Sequence, residues 1–334
     1  MAIEEDEPTT GMPPDVLVVV VNYNGGELLS RAVAALARQS YRSFRLLIVD
    51  NASSDDSISR LHAEFPETEV LQTGSNMGFA AANNLAVRSA GGTRWIGLLN
   101  PDAFPEPDWL QNLIGAARKN PNAGSFASRT LVAGDPEKLD GAGDAYHVAG
   151  RYWRRGYHRK KQDLYLQSEE IFAACGAAAL YSREAWEDVG GFDEDFFCYG
   201  EDIDLGFRLQ LAGYKCLYVP EAVALHCGSA VTGQRSDFST YYGQRNLSWV
   251  YFKNMPAPLF WLVLPLHVLL NFATVLRCML RGQGGVVIRA KKDSALGLPA
   301  MWRKRSEIQR KRKIGSVRLL KVLELGWPGS LDLV

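Results

Sequence analysis

The chain has 334 residues, 47% of them hydrophobic and 22% charged, an ordinary globular composition that supports one large domain or two moderate ones. Its 37 Lys+Arg and 37 Asp+Glu cancel overall, yet residues 254–334 hold 14 of the basic and 4 of the acidic residues, leaving 23 against 33 in the first 253. The five cysteines include no CxxC pair, which excludes a structural zinc site by spacing, and the acidic start lacks a secretory signal, so reduced thiols in a cytoplasmic chain are expected.

Residues 1–14 are acidic and rich in Pro and Thr, and read as a disordered tail. From Asp15 the pattern is that of an α/β protein. Val16 to Val21 and Phe44 to Val49 are unbroken apolar runs, as in strands covered by helices on both faces. Between them Leu29, Val33 and Leu36 recur at helical spacing. A second helix carries Ile58, Leu61 and Phe65, with Ser53 or Ser54 as its cap. Val70-Leu71 and Trp95 to Leu99 read as further strands around a helix near 80–90, and Trp109 to Asn120 as another helix. This alternation predicts a mainly parallel sheet whose ligands sit beyond the C-terminal strand ends. Residues 129–170, rich in Gly, Tyr and Arg, read as an irregular, partly mobile excursion. Then come a strand over 175–181, a short helix over 184–189, a helix over 201–212 and a last strand over 215–219, after which His226 follows.

Polar residues collect where strands end: Asn22-Tyr23-Asn24, Asp50-Asn51 and Asn100-Pro101-Asp102. Singly these are turn formers. Three in register along one sheet instead suit a crevice in which an amide or carboxylate reads a nucleobase and another carboxylate holds a divalent cation against phosphates. Neither GxGxxG nor GxxxxGK[ST] is present, so the phosphates need a metal, with Asp102 as its best ligand and His226 as a possible second. Residues 190–205 set six carboxylates among Phe192, Phe196, Phe197 and Tyr199, which a merely solvated acidic face does not explain. Glu201 and Asp202 open a helix there, where the macrodipole favours an ionised carboxylate suited to general-base work.

Together VVVVNYNGG, LLIVDNASSDDS, GSNMGFAAANN, GLLNPDAFPEPDWL, GGFDEDFFCYGEDIDLGFRLQLAGY, the His226 segment and YYGQRNLSWVYFKN resemble the inverting family-two glycosyltransferases of GT-A fold, in particular their rhamnosyltransferase-like branch. The match runs from about Val16 to Pro256. The resemblance implies that Asn22, Tyr23, Asp50 and Asn51 line the nucleotide, and that Asn76, Gly78, Asn83 and Asn100 lie along the donor sugar nucleotide. It implies that Asp102 and His226 bind Mn2+ or Mg2+, and that Asp202, beside Glu201, deprotonates the acceptor hydroxyl. Asn100-Pro101-Asp102 stands where the family has Asp-X-Asp, so one acidic ligand is missing and the demand on His226 rises. The expected organisation is a nucleotide-sugar half over about 15–128, an acceptor half over about 129–253 and a helical extension over 254–334.

Residues 254–276 carry no Asp, Glu, Lys or Arg and include Phe260, Trp261 and a run of Leu and Val, long enough to span a bilayer. Pro256, Pro258, Pro265, His267 and Asn271 argue instead for a helix lying in the interface. Arg277, Arg281, Arg289, Lys291, Lys292, Arg303-Lys304-Arg305 and Arg310-Lys311-Arg312-Lys313 suit anionic headgroups on the cytoplasmic side. An apolar run beside a basic one favours a membrane over nucleic acid, which is not expected as a partner. The expected partners are a dTDP- or UDP-linked sugar, a glycan or polyprenyl-linked acceptor and the inner face of the cell membrane. The rival readings are a sugar-phosphate nucleotidyltransferase and a non-catalytic, membrane-attached carbohydrate-binding protein.

Overall fold

The computed structural model describes residues 14–161, 164–228, 233 and 235–326; the expected N-terminal tail lies outside the described residues save for its last one. The chain begins with β1 (Val16–Asn22), α1 (Gly26–Ala37), β2 (Phe44–Asp50), α2 (Ser57–Glu64), β3 (Glu69–Gln72), α3 (Gly78–Ser89) and β4 (Trp95–Leu99). β1 pairs in parallel with β2 on one side and β4 on the other, and β2 pairs in parallel with β3. Every β1 side chain is buried because helices cover both faces, which is why its apolar run does not alternate. α2 departs from expectation at its start. Asp56 is the cap residue, while the Ser53 hydroxyl accepts from Asn22 Nδ2 and the Asn24 N–H instead.

Next come β5 (Ala103–Pro105), α4 (Trp109–Lys119), β6 (Ala123–Val132), β7 (Asp135–Ala142), β8 (Asp144–Tyr146), β9 (Tyr152–Arg154), β10 (Glu169–Ile171), β11 (Ala178–Ser182), α5 (Arg183–Val189), α6 (Glu201–Leu211) and β12 (Lys215–His226). The main sheet runs β10-β12-β6-β11-β4-β1-β2-β3, with β5 on β12 and β7 on β6. It is therefore mixed: β11 lies antiparallel between β4 and β6, and β6 and β12 are parallel to each other. The first part of the supposed excursion, 129–154, is instead the end of β6, β7 and the β8–β9 hairpin, held by antiparallel pairing. Short polar strands of this kind carry too little apolar periodicity to be read from sequence. The last strand is also longer than expected, so His226 ends β12 rather than following it.

Three C-terminal helices follow, α7 (Asp237–Asn254), α8 (Ala257–Leu280) and α9 (Gly284–Lys311), with a final turn of helix, α10 (Ser316–Leu320). They share a core with the α/β part: Tyr146, Phe172, Phe196, Ile203 and Phe207 pack with Trp249, Leu259, Phe260, Met301 and Leu319. The basic tail meets the acidic domain. Lys304 binds Asp193 and Asp195, Lys313 binds Asp188, and Arg318 binds Glu170. At the centre, fully buried Asp204 of α6 accepts from Arg208, Lys253 and Asn254, and Lys253 also binds Asp193.

Removing one charge from such a buried set leaves its partners uncompensated. Asp204→Asn is accordingly expected to destabilise the chain by about 3–5 kcal/mol, read as a lowered midpoint in denaturant unfolding. A shift under about 1 kcal/mol, the range of an exposed pair, would show that this ionic web is dispensable.

Candidate active site

The parallel register sets Asn22 directly beside Asp50 at the C-terminal edge of the sheet. Asn22 is fully buried, and its Nδ2 donates to Asp50 Oδ1 at 3.3 Å and to the Ser53 and Ser57 hydroxyls at 2.9 Å. Asn22 Oδ1 has no hydrogen-bond partner and borders Gly25, where an added methyl would strike it. Tyr23 is exposed at the rim. Asn51 donates to Asn76 Oδ1 and accepts from the Met77 N–H, so both amides shape the turn that enters α3. Gly78 adopts a positive φ of 83° and packs against Phe197, whose carbonyl accepts from the Ala80 N–H. This close approach by itself requires glycine. Asn83 is buried and turned back on its own helix, donating to the Phe79 carbonyl. Its neighbour Asn84 grips both backbone groups of Phe192 and so ties α3 to the acidic segment.

A backbone link also ties Asp202 to the end of β4. The Asn100 N–H donates to the Ala177 carbonyl at 2.9 Å, and the adjacent Gly176 N–H donates to Asp202 Oδ2 at 3.2 Å. Asp202 Oδ1 accepts from the Ile203 N–H. Asp202 is thus hung from the loop that meets the end of β4, two residues from Asp102 along the strand edge. Carboxyl or thiol atoms of Asp144, Cys175 and Asp202 lie within 4.8 Å of one another. Burial raises the Asp202 pKa, opposed by the Gly176 and Ile203 N–H groups and by Arg154. Burial, then the charge of Asp202, pushes Glu201 well above the carboxylate range, and its Oε2 has no partner. The expected helix-end effect, which favours ionised carboxylates, is outweighed here by desolvation.

On the other side, pairing of β5 with β12 sets His226 opposite Ala103, and the Cys227 N–H donates to the Asp102 carbonyl. His226 Nε2 stands 3.3 Å from Asp102 Oδ1, within ion-pair range but outside hydrogen-bond alignment, while Nδ1 lies 2.8 Å from Asp140 Oδ2. Burial disfavours a charged ring, but Asp102 and Asp140 outweigh it and hold the His226 pKa up at about 9. Asp140 in turn accepts from the Thr130 hydroxyl and from Arg154. Arg154, opposite Asp144 in the β8–β9 hairpin, completes a buried polar chain from Asp102 towards Asp202.

Two of these features bear on a metal. Atoms at right angles around one ion, each about 2.1 Å from it, lie about 3 Å apart, close to the Nε2–Oδ1 separation. Nε2 is also a buried nitrogen lacking a hydrogen bond. Asp102 and His226 therefore fit a small divalent cation. The Asp144, Cys175 and Asp202 group does so less well, because the guanidinium of Arg154 already supplies positive charge there.

The glycosyl transferase family 2 profile matches residues 17–190, and that of glycosyl transferase family group 2 matches 150–290. The chain belongs to glycosyl transferase family 2. It is 31% identical over 247 residues to the N-acetylglucosaminyl-diphospho-decaprenol L-rhamnosyltransferase of Mycobacterium tuberculosis, spanning 66% of this chain and 78% of that protein. The O-antigen chain rhamnosyltransferase RfbN of Salmonella typhimurium is 24% identical over 230 residues, 68% of this chain and 70% of the other. Among solved structures, the mannosyltransferase PcManGT of Pyrobaculum calidifontis superposes with a TM-score of 0.54 at 18% identity, covering 90% of this chain and 86% of that one. GalNAc-T7 does so at 0.58 and 17%, covering 71% of this chain and half of its own. The fold is GT-A, and this family-two chain is a glycosyltransferase similar to rhamnosyltransferases. The nucleotidyltransferase and scaffold readings are not favoured.

Of the expected site residues, Asn22, Asp50, Asn51, Asn100, Asp102 and His226 lie at one edge of the sheet and Asp202 of α6 is tied to it through Gly176, while Asn83 and Gly78 are occupied by packing. Sequence reasoning missed Asp140, Asp144 and Arg154. The one signal for the two acids was their place at a spacing of two in Asp140, Ala142, Asp144 and Tyr146.

If Asp202 is the base, it must be ionised, so transfer is lost as pH falls through its raised pKa. The acidic limb of kcat/KM is expected above the usual aspartate value of 3.8. A limb at or below that value would contradict this role.

Proposed function

We propose that this glycosyltransferase moves a sugar, rhamnose in the favoured reading, from a dTDP- or UDP-linked donor to a hydroxyl of a glycan or polyprenyl-linked acceptor, with inversion. The observation that carries the reading is the hanging of Asp202 from Gly176 beside the strand end that leads to Asp102. Asn22, Tyr23, Asp50 and Asn51 would bind the base and ribose, with Asn76 and Asn100 further along the donor. Asp102 and His226 would hold Mn2+ or Mg2+, which supplies positive charge to the departing diphosphate. Asp202 takes the acceptor hydroxyl's proton as that oxygen attacks the anomeric carbon from the face opposite the diphosphate. Glu201, kept protonated by burial, leaves Asp202 as the ionised member of the pair. The decaprenyl-linked acceptor in the name of the mycobacterial relative supports a lipid-linked acceptor here.

A lipid-linked acceptor calls for a membrane surface at the cytoplasmic face. α8 is long and apolar enough to cross a bilayer, but one side of it is committed to the protein. Leu259, Phe260, His267, Thr274 and Cys278 are buried, and the His267 ring stacks on Tyr251 at 3.9 Å. The other side exposes Trp261, Leu262, Val268, Leu269, Phe272 and Leu280. Such a one-sided helix supports an in-plane anchor over a spanning one. Exposed Trp302 of α9 packs with Trp261 on Phe260, a pairing suited to the headgroup level. Lys304, Lys313 and Arg318 are spent on acidic partners within the chain, which leaves Lys292, Arg303 and Arg310 exposed for anionic lipid.

Asp202→Asn is expected to cut transfer by at least about 10²-fold while donor affinity by calorimetry stays within about twofold. Turnover like the wild type would exclude Asp202 as the base, and a panel of nucleotide sugars read by product release identifies the donor. Leu269→Glu with Phe272→Glu is expected to abolish flotation with anionic vesicles and to leave transfer to a water-soluble acceptor unchanged. Flotation that survives the pair would remove α8 as the anchor.

A further inference from the structure

The register of β7 on β6 slips twice, and at the first slip Thr130 faces Gly141 and Leu131 faces Leu139, so Asp140 is the extra residue of a bulge. Bulges re-aim side chains. This one sends a buried carboxylate to three donors at once, the Thr130 hydroxyl at 3.1 Å, Arg154 Nη1 at 2.7 Å and His226 Nδ1 at 2.8 Å. With the Thr130 hydroxyl and the Arg154 guanidinium both donating to it, this carboxylate is an acceptor, so the proton between it and the ring belongs to Nδ1.

We propose that Asp140 is a positioning residue for the cation: from its bulge it takes the Nδ1–H of His226 and so fixes the ring with Nε2 as the nitrogen turned towards Asp102 for the ion to take. The inference rests on the metal reading of Asp102 and His226 given above. With Asn100 in place of a second acidic ligand, the imidazole carries a larger share of the binding, and its orientation matters correspondingly more. Arg154 keeps the Asp140 carboxylate in place and charged, and the same guanidinium stabilises the ionised form of Asp202. The arrangement is the general one in which a ligating histidine gives its other ring proton to a carboxylate.

The test is Mn2+ binding to the full chain without donor, followed by electron paramagnetic resonance of the free ion. Asp140→Asn is expected to weaken binding about 10- to 100-fold. Because that variant leaves Arg154 facing an amide, Asp140→Asn with Arg154→Gln removes both charges together and is expected to show the same loss. Asp102→Asn and His226→Gln are the controls. If neither control weakens binding, the metal reading itself fails. If both do while the Asp140 variants bind like the wild type, the positioning inference alone is overturned. A measurement on the unsubstituted chain covers a failure of either variant to fold. In the 15N histidine spectrum of the Mg2+-saturated protein, with His226 assigned by His226→Gln, the proton is expected on Nδ1. A proton on Nε2 overturns the proposal.

Discussion

The antiparallel pairing of β11 on β4 brings the loop at 175–177 against the end of β4, and the arrangement of the site depends on that contact. Ala178 faces Leu99, the Ala177 carbonyl takes the Asn100 N–H, and Gly176 is left with its own N–H pointing at Asp202. Helix α6, which carries Asp202, is therefore referenced to the same strand edge that leads into Asp102. A backbone donor is a suitable tether because it cannot rotate away as a side chain can, and it supports the ionised carboxylate that burial disfavours.

The strand end and the hairpin beside it divide the charges. On one side Asp102, His226 and Asp140 form a set that favours positive charge between them. On the other, Asp144, Glu201 and Asp202 are crowded and buried, so their protonation is shared unequally. Arg154 stands between the two sets. Its pairing with Asp140 and its field at Asp144 and Asp202 allow a carboxylate-rich centre to be buried without every acid taking up a proton.

The charge polarity of the chain has an internal use. Lys253, Lys304, Lys313 and Arg318 reach acids of the α/β part, and Asp204 of α6 lies within that ionic web. The C-terminal helices are consequently packed against the segment that carries Asp202, and the apolar side of α8 that remains open is held in a defined relation to it.

Local pattern in the sequence determined the strands β1, β2 and β4, the helices between them, and hence the polar residues that stand at the sheet's C-terminal edge. The motif-rich segments around Asp50, Asp102 and Asp202 were legible for the same reason, since each joins a periodic element to a short polar turn. Asp140, Asp144 and Arg154 were not legible, nor was β6. His226 meets Asp140 across 86 residues, through a bulge that no spacing encodes. The fates of Gly78 and Asn83, of α8 and of the basic tail were likewise decided only by what packs against them. Periodicity is a property of neighbours along the chain, whereas strand order, register and burial come from backbone hydrogen bonds and apolar contacts between distant segments, and those selected which carboxylates share one crevice.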